Sequence, residues 1–195
     1  MDKIKDIITA SIAVKEKILK DAALIKRMEQ VAEEIVKCYG HDGKVLFCGN
    51  GGSAADAQHI AAELSGRFYF DRDPLDAEAL HVNTSYLTAV ANDYSYDQVY
   101  SRLVKARGRK GDILVGISTS GNSGNVMKAF ELANTIGMIT VGMTGESGGK
   151  MKDNCTYLLN APSSDTPRIQ ESHIMMGHII CELVEEKMFE RGKQA

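Results

Sequence analysis

No run of 18 apolar residues occurs anywhere in the chain, so the sequence offers no membrane-spanning helix. Prolines number only three, two of them close together at Pro162 and Pro167. There is no Pro/Gly-rich linker, internal repeat or low-complexity tract, and a single domain is expected. The four cysteines, Cys38, Cys48, Cys155 and Cys181, form no CxxC pair. That argues against a zinc knuckle or a disulfide framework and for a reducing, cytoplasmic setting. Basic residues are not clustered: 23 Lys and Arg are scattered among 26 Asp and Glu, for a net charge of −3. Neither a nucleic-acid nor a membrane partner is therefore expected. The opening "MDKIKDIITASIAVKEK" carries charge throughout, unlike a secretory signal.

Against these absences stands an apolar content of 44% in 195 residues, enough for a sizeable core. Apolar residues at helical spacing predict helices over 3–19 and 22–38, with Gly40 as a stop. These form an N-terminal helical extension, residues 1–40, ahead of an α/β sandwich over 41–195. "KVLFCG" (44–49), "EALHV" (78–82), "DILVGIS" (112–118), "MITVGMT" (138–144) and "TYLLNAP" (156–162) read as strands. Between and after them lie helices at about 53–66, 84–91, 120–137 (after a polar loop) and 167–189. Strands alternating with helices predict a parallel, doubly wound sheet. Such sheets bind ligands beyond the carboxyl ends of their strands, so the loops after Phe47, Ile117 and Leu159 are where chemistry is expected.

Two of those loops are informative. Gly49-x-Gly51-x-x-Ala54 matches a relaxed dinucleotide fingerprint, but the next strand ends "HVNTS" with no acidic residue for a ribose. No Gly-Lys-Ser/Thr follows either, so it is not a P-loop. "STSGNS", Ser118–Ser123, places four hydroxyls and Gly121 between a buried strand and a helix start. Hydroxyls with free helix amides make an uncharged phosphate cup, and four in six residues exceed what a helix cap needs.

"GNGGSAADAQH", "ISTSGNS" and "TPRIQESHI…GHII" together resemble the sugar isomerase (SIS) domain family, and within it the phosphoheptose isomerases. The resemblance runs over essentially the whole chain. It implies a five-stranded parallel sheet flanked by helices and a homotetramer with active sites between subunits. It also implies conversion of sedoheptulose 7-phosphate to D-glycero-D-manno-heptose 7-phosphate for lipopolysaccharide or another surface polysaccharide.

An aldose–ketose isomerase moves a proton between C1 and C2 through an enediol and shifts the oxygen protons too. It needs a base near both carbons, an acid or metal at the oxygens and an anchor for the phosphate. His59 and Glu63 are i and i+4 and share a helix face. Gln170 and His178 lie about 80° apart around the last helix. By resemblance, Glu63 is the general base and His178 its acid–base partner. The same resemblance makes His59, Glu63, Gln170 and His178 a ligand set for one zinc ion per subunit. It also sets Asn50, Gly51, Gly52, Ser53, Glu63, Asn92, Asp93, Ser118, Thr119, Ser120, Ser123 and Gln170 around the substrate. By themselves Asn92 and Asp93 read as a turn or N-cap, and Arg67 as a helix cap or subunit contact. His81 and His173 read as structural, His41 as an exposed loop residue, and Cys48 as a small core residue.

Three rival readings keep parts of this pattern. A non-catalytic SIS protein that binds the replication initiator DnaA needs the fold but not Glu63 and His178 together. A sugar-phosphate sensor needs a DNA-binding helix-turn-helix, for which the leading helices are not basic enough. An isomerase of another sugar phosphate keeps the chemistry and changes the substrate.

Overall fold

Five short strands take up the continuous apolar runs, as a sheet covered on both faces requires. In this computed structural model, which describes residues 2–189, β1 is Val45–Gly49, β2 Ala77–Ala79, β3 Ile113–Ile117, β4 Ile139–Thr144 and β5 Tyr157–Asn160. All pair in parallel, in the order β2-β1-β3-β4-β5. Around the sheet lie α1 (Asp2–Lys20), α2 (Ala22–Tyr39), α3 (Gly52–Ser65), α4 (Thr84–Asp93), α5 (Val99–Arg107), α6 (Gly124–Ile136) and α7 (Thr166–Met188). The expected doubly wound, five-stranded parallel sheet flanked by helices is thus the fold the chain adopts.

Each sheet face carries one apolar cluster. The first joins residues of α2, α3 and α7 to Phe47, Val115 and Val141; the second joins α5 and α6 to Leu46, Cys48 and Leu114. Leu24, Met28, Val31, Ala32 and Ile35 of α2 are all buried in the first cluster. Asp21 starts that helix by accepting the Leu24 amide at 2.9 Å, a cap of about 1 kcal/mol. α1 is different: it buries Val14 and Ile18, but Ile4, Ile7, Ile8 and Ile12 remain 47–65% exposed. Among the described residues no helix is long and apolar enough to cross a membrane.

The structure departs from the expected elements in three places. β2 stops at Ala79 instead of running to 82, because Asn83 turns the chain into α4 by accepting the Tyr86 amide at 3.0 Å. α4 itself runs on to Asp93. The stretch after it, expected to hold no element, contains a 3-10 turn, Tyr96–Gln98, and then α5. Val99 and Tyr100 favour strands in isolation, but here they plug the second cluster, which fixes the helix. Tyr100 also donates its hydroxyl to the carbonyl of Gly49 at the end of β1.

Candidate active site

Gly49 and Ile117 are register partners, so the loops leaving β1 and β3 emerge side by side and feed the N-termini of α3 and α6. Asn50 and Asn125 exchange side-chain hydrogen bonds, 2.9 Å each way, across that gap. Tyr96 donates to Asn50 Oδ1 at 3.1 Å. Neither Asn125 nor Tyr96 is marked by a local motif, since their partner lies far away in sequence. Asn92 and Asp93 end α4 instead of starting a helix; both are exposed, and Asn92 Nδ2 donates to Asp93 Oδ1 at 3.0 Å.

In the loop after β3, Ser118 is buried, with its Oγ 2.8 Å from Ser123 Oγ and 3.5 Å from Ser120 Oγ. Ser123 occupies the N-cap position of α6, yet its side chain makes no capping hydrogen bond. The hydroxyls therefore face one another and leave the Gly124 and Asn125 amides of α6 uncapped, as an anion site needs, while the Val126 amide donates to Asn125 Oδ1 at 2.9 Å. Gly121 makes this turn possible: its φ is +66°, and a Cβ there would lie 2.2 Å from the Gly148 carbonyl oxygen. The loop opens into a cleft of about 320 Å³ where Thr119 and Ser120 meet Ser147, Ser163, Ser164 and Thr166; Glu146 is the charged residue of its lining, which holds no Lys or Arg. Ser147, Ser163 and Ser164 escaped sequence reasoning because they come from loops after β4 and β5 with no signature of their own, whereas Thr166 opens α7 and the "TPRIQESHI" motif.

On the opposite helix pair, α3 and α7 approach closely. A Cβ on Gly177 would fall 2.4 Å from Ile60 Cδ1, so the helices meet here because position 177 has no side chain. The next residue on α7 is His178 and the one before Ile60 is His59. Their ring centroids are 5.1 Å apart, edge to face. His59 Nε2 lies 3.0 Å from Glu63 Oε1. Donor atoms of His59, Glu63 and His178 all fall within 4.8 Å of one another. Ligands of one tetrahedral zinc sit about 3.4 Å apart, a gap that small side-chain rotations close. His178 Nε2 and Asp56 Oδ2 are buried with no hydrogen-bond partner among the described residues, which also suits a cation between the helices. Burial pushes the Asp56 carboxyl up, while His59 and His178 pull it down. Asp56 was not anticipated; its spacing to His59 on α3 is i,i+3, a signal the sequence does contain.

Gln170 stands elsewhere. Its Nε2 lies where a Cβ on Gly52 would come within 2.3 Å, so it rests on the first turn of α3. At 1.5 Å per residue, His59 and Glu63 begin about 10 and 16 Å further along that helix. Gln170 thus borders the loop of Asn50, Gly51 and Gly52.

The helix cap considered for Arg67 is supplied by Arg72; Arg67 itself is exposed. His173 is fully buried, with Nε2 2.9 Å from the Thr144 carbonyl oxygen, and burial pushes its pKa down to about 4, in keeping with a structural role. Cys48 is buried and its thiol is pushed up to about 12, an inert core residue. His41 is exposed, and its Nδ1 lies 2.8 Å from the Lys37 carbonyl oxygen. His81 is half-buried, and burial pulls its pKa down.

Comparison with known proteins adds to this geometry. The family model described as "SIS domain" matches residues 8–145. A phosphoheptose isomerase of Aneurinibacillus thermoaerophilus is 55% identical over 188 residues, covering 96% of this chain and 95% of that one. One from Clostridium acetobutylicum is 53% identical over 93% of each chain. The solved structure of a phosphoheptose isomerase from Neisseria gonorrhoeae superposes with a TM-score of 0.89 at 44% identity, covering 95% of this chain and 98% of that one.

Proposed function

The chain belongs to the SIS domain family, and from that premise we propose how its residues carry out sugar-phosphate isomerisation. The reaction converts sedoheptulose 7-phosphate, a ketose, to D-glycero-D-manno-heptose 7-phosphate, an aldose. Relatives over half identical across nearly the whole chain carry the name phosphoheptose isomerase, which supports this reaction. Glu63 removes a proton from C1. The C1–H electron pair forms the C1=C2 bond as the C2 carbonyl oxygen gains a proton, giving an enediol. Return of a proton to C2 with loss of the O1 proton completes the aldose, and no atom is gained or lost. His178 handles the oxygen protons and ring opening. The carrying observation is the convergence of Glu63 with two imidazoles from separate helices, His59 and His178.

The phosphate rests on Ser118, Thr119, Ser120 and Ser123 and on the α6 amides. Ser53, Asn50, Gly51, Gly52, Asn92, Asp93 and Gln170 surround the rest of the substrate. His59, Glu63 and His178 would hold one zinc ion, which as a Lewis acid polarises substrate oxygens. Gln170 would complete that set, and the active sites are shared between subunits of a homotetramer. The exposed isoleucine face of α1 and the apolar groove beside it, formed by Ile12, Leu19, Ile25, Met28, Met175 and Ile179, support such an assembly. Residues 1–40 then act as the assembly segment on the 41–195 sandwich. A phosphorylated substrate and four free cysteines suit the cytoplasm, and the product feeds lipopolysaccharide or another surface polysaccharide.

Incubating the protein with sedoheptulose 7-phosphate and resolving the product tests this. Aldoheptose phosphate is expected. Turnover only of a pentose or hexose phosphate would change the substrate, and no isomerisation of any sugar phosphate would overturn the reading.

A further inference from the structure

The isomerase mechanism leaves the buried polar cluster around Arg72 and Glu185 unused. Arg72 and Glu185 form an ion pair with Nε 2.9 Å from Oε1, and their side chains are 0% and 1% exposed. The pair does more than neutralise itself. A helix ends with carbonyls that lack partners, and the Arg72 guanidinium meets two from the end of α3 and two from the loop beyond it. NH2 donates to the carbonyl of Glu63 at 2.8 Å; NH1 donates to Leu64 at 2.9 Å, Gly66 at 3.1 Å and Asp73 at 2.9 Å. Glu185 in turn accepts the amides of Phe68 at 3.0 Å and Tyr69 at 2.8 Å. Burial alone would raise the Glu185 carboxyl, but those amides and Arg72 outweigh it and hold it below the ordinary range.

The placement matters because each end of the cluster meets the site. Glu185 follows His178 by seven residues, about 20° short of two full turns, so both lie on one face of α7. Phe68, fixed through its amide, sets its ring 5.8 Å from the His178 ring. The guanidinium holds the backbone of Glu63 itself. A planar fork of five donors can do this, whereas an ammonium cannot reach the same set of acceptors.

We infer that Arg72 and Glu185 are positioning residues that fix the Glu63 end of α3 against the His178 face of α7. The inference rests on the isomerase reading above for its activity arm, and on the His59, Glu63 and His178 geometry alone for its metal arm. Removing one partner would leave a buried charge uncompensated, but replacing both with apolar residues of similar size is tolerated in folded proteins. The test therefore compares the paired variant Arg72→Met with Glu185→Met, and the single variant Arg72→Lys, with the intact protein.

Both variants are expected to melt cooperatively and keep their KM for sedoheptulose 7-phosphate within about threefold, since the phosphate cup is on other elements. Their kcat should fall at least about tenfold, less for Arg72→Lys than for the pair. Affinity for zinc, read by competition with a chelating dye, should fall at least about tenfold. A folded paired variant with unaltered kcat and zinc affinity would overturn the inference. If the pair does not fold, unaltered kcat and zinc affinity in Arg72→Lys overturn it instead. Should the intact protein bind zinc without isomerising the sugar phosphate, the functional reading fails and the zinc comparison alone decides the positioning role.

Discussion

Replacing Ser123 with Ala separates a phosphate cup from a helix cap. In the structure Ser123 Oγ reaches Ser118 Oγ at 2.8 Å and caps nothing. Its loss should cost the fold no more than about 1 kcal/mol, the usual worth of a neutral hydrogen bond. A hydroxyl that donates to a phosphate is worth about 1.5–3 kcal/mol. At about 1.4 kcal/mol per tenfold change, KM should rise about 10- to 150-fold. Ser118→Ala and Ser120→Ala should behave alike, because their oxygens lie 3.5 Å apart in the same loop. Steady-state kinetics with sedoheptulose 7-phosphate measure this directly. Affinity should depend only weakly on salt, since no Lys or Arg lines the cleft. Unphosphorylated sedoheptulose should be a very poor substrate, because the anchor also orients C1 and C2 over Glu63. The reasoning fails if all three variants keep the wild-type KM, or if the free sugar is turned over as well as its phosphate.

The same structure implies three further outcomes. Glu63→Gln and His178→Gln should each fold and lose at least about a hundredfold in kcat, the usual scale for acid–base groups; near-normal turnover in either removes that residue from proton transfer. His173, neutral with a pKa of about 4 against an ordinary 6.5, contributes stability that is whole above pH 6.5 and lost as pH falls to about 4, because the unfolded chain binds the proton first. At about 1.4 kcal/mol per pH unit, about 2 kcal/mol should go between pH 6.5 and 5; urea unfolding at pH 7 and 5 should show this loss in the intact protein and not in His173→Gln, and equal losses in both would refute it. Ile8→Glu with Ile12→Glu, on the exposed face of α1, should lower the molecular mass seen by light scattering from that of the proposed tetramer without unfolding the chain; an unchanged mass would take α1 out of the assembly.

Local spacing determined a good deal about this protein. Apolar runs marked the inner strands β1, β3 and β4, because a strand covered on both faces has no polar side to show. The i,i+4 relation put His59 and Glu63 in contact, since one helix turn fixes that pair whatever surrounds it. The hydroxyls of "STSGNS" were legible because they are consecutive. Tertiary structure decided the partners. Spacing gave the angle between Gln170 and His178 but said nothing of how far each travels along α7 relative to α3. Eight residues are about 12 Å of rise, so the same face delivers Gln170 to Gly52 and His178 to His59. That pairing depends on Gly177 letting α7 close on Ile60, and on Arg72 reaching Glu185 113 residues away. Strand propensity at Val99 and Tyr100 yielded to core packing in the same way. Sequence specifies what lies within a turn or a strand. Contacts between distant residues are settled by which surfaces can approach, and here that includes the meeting of Glu63 with His178.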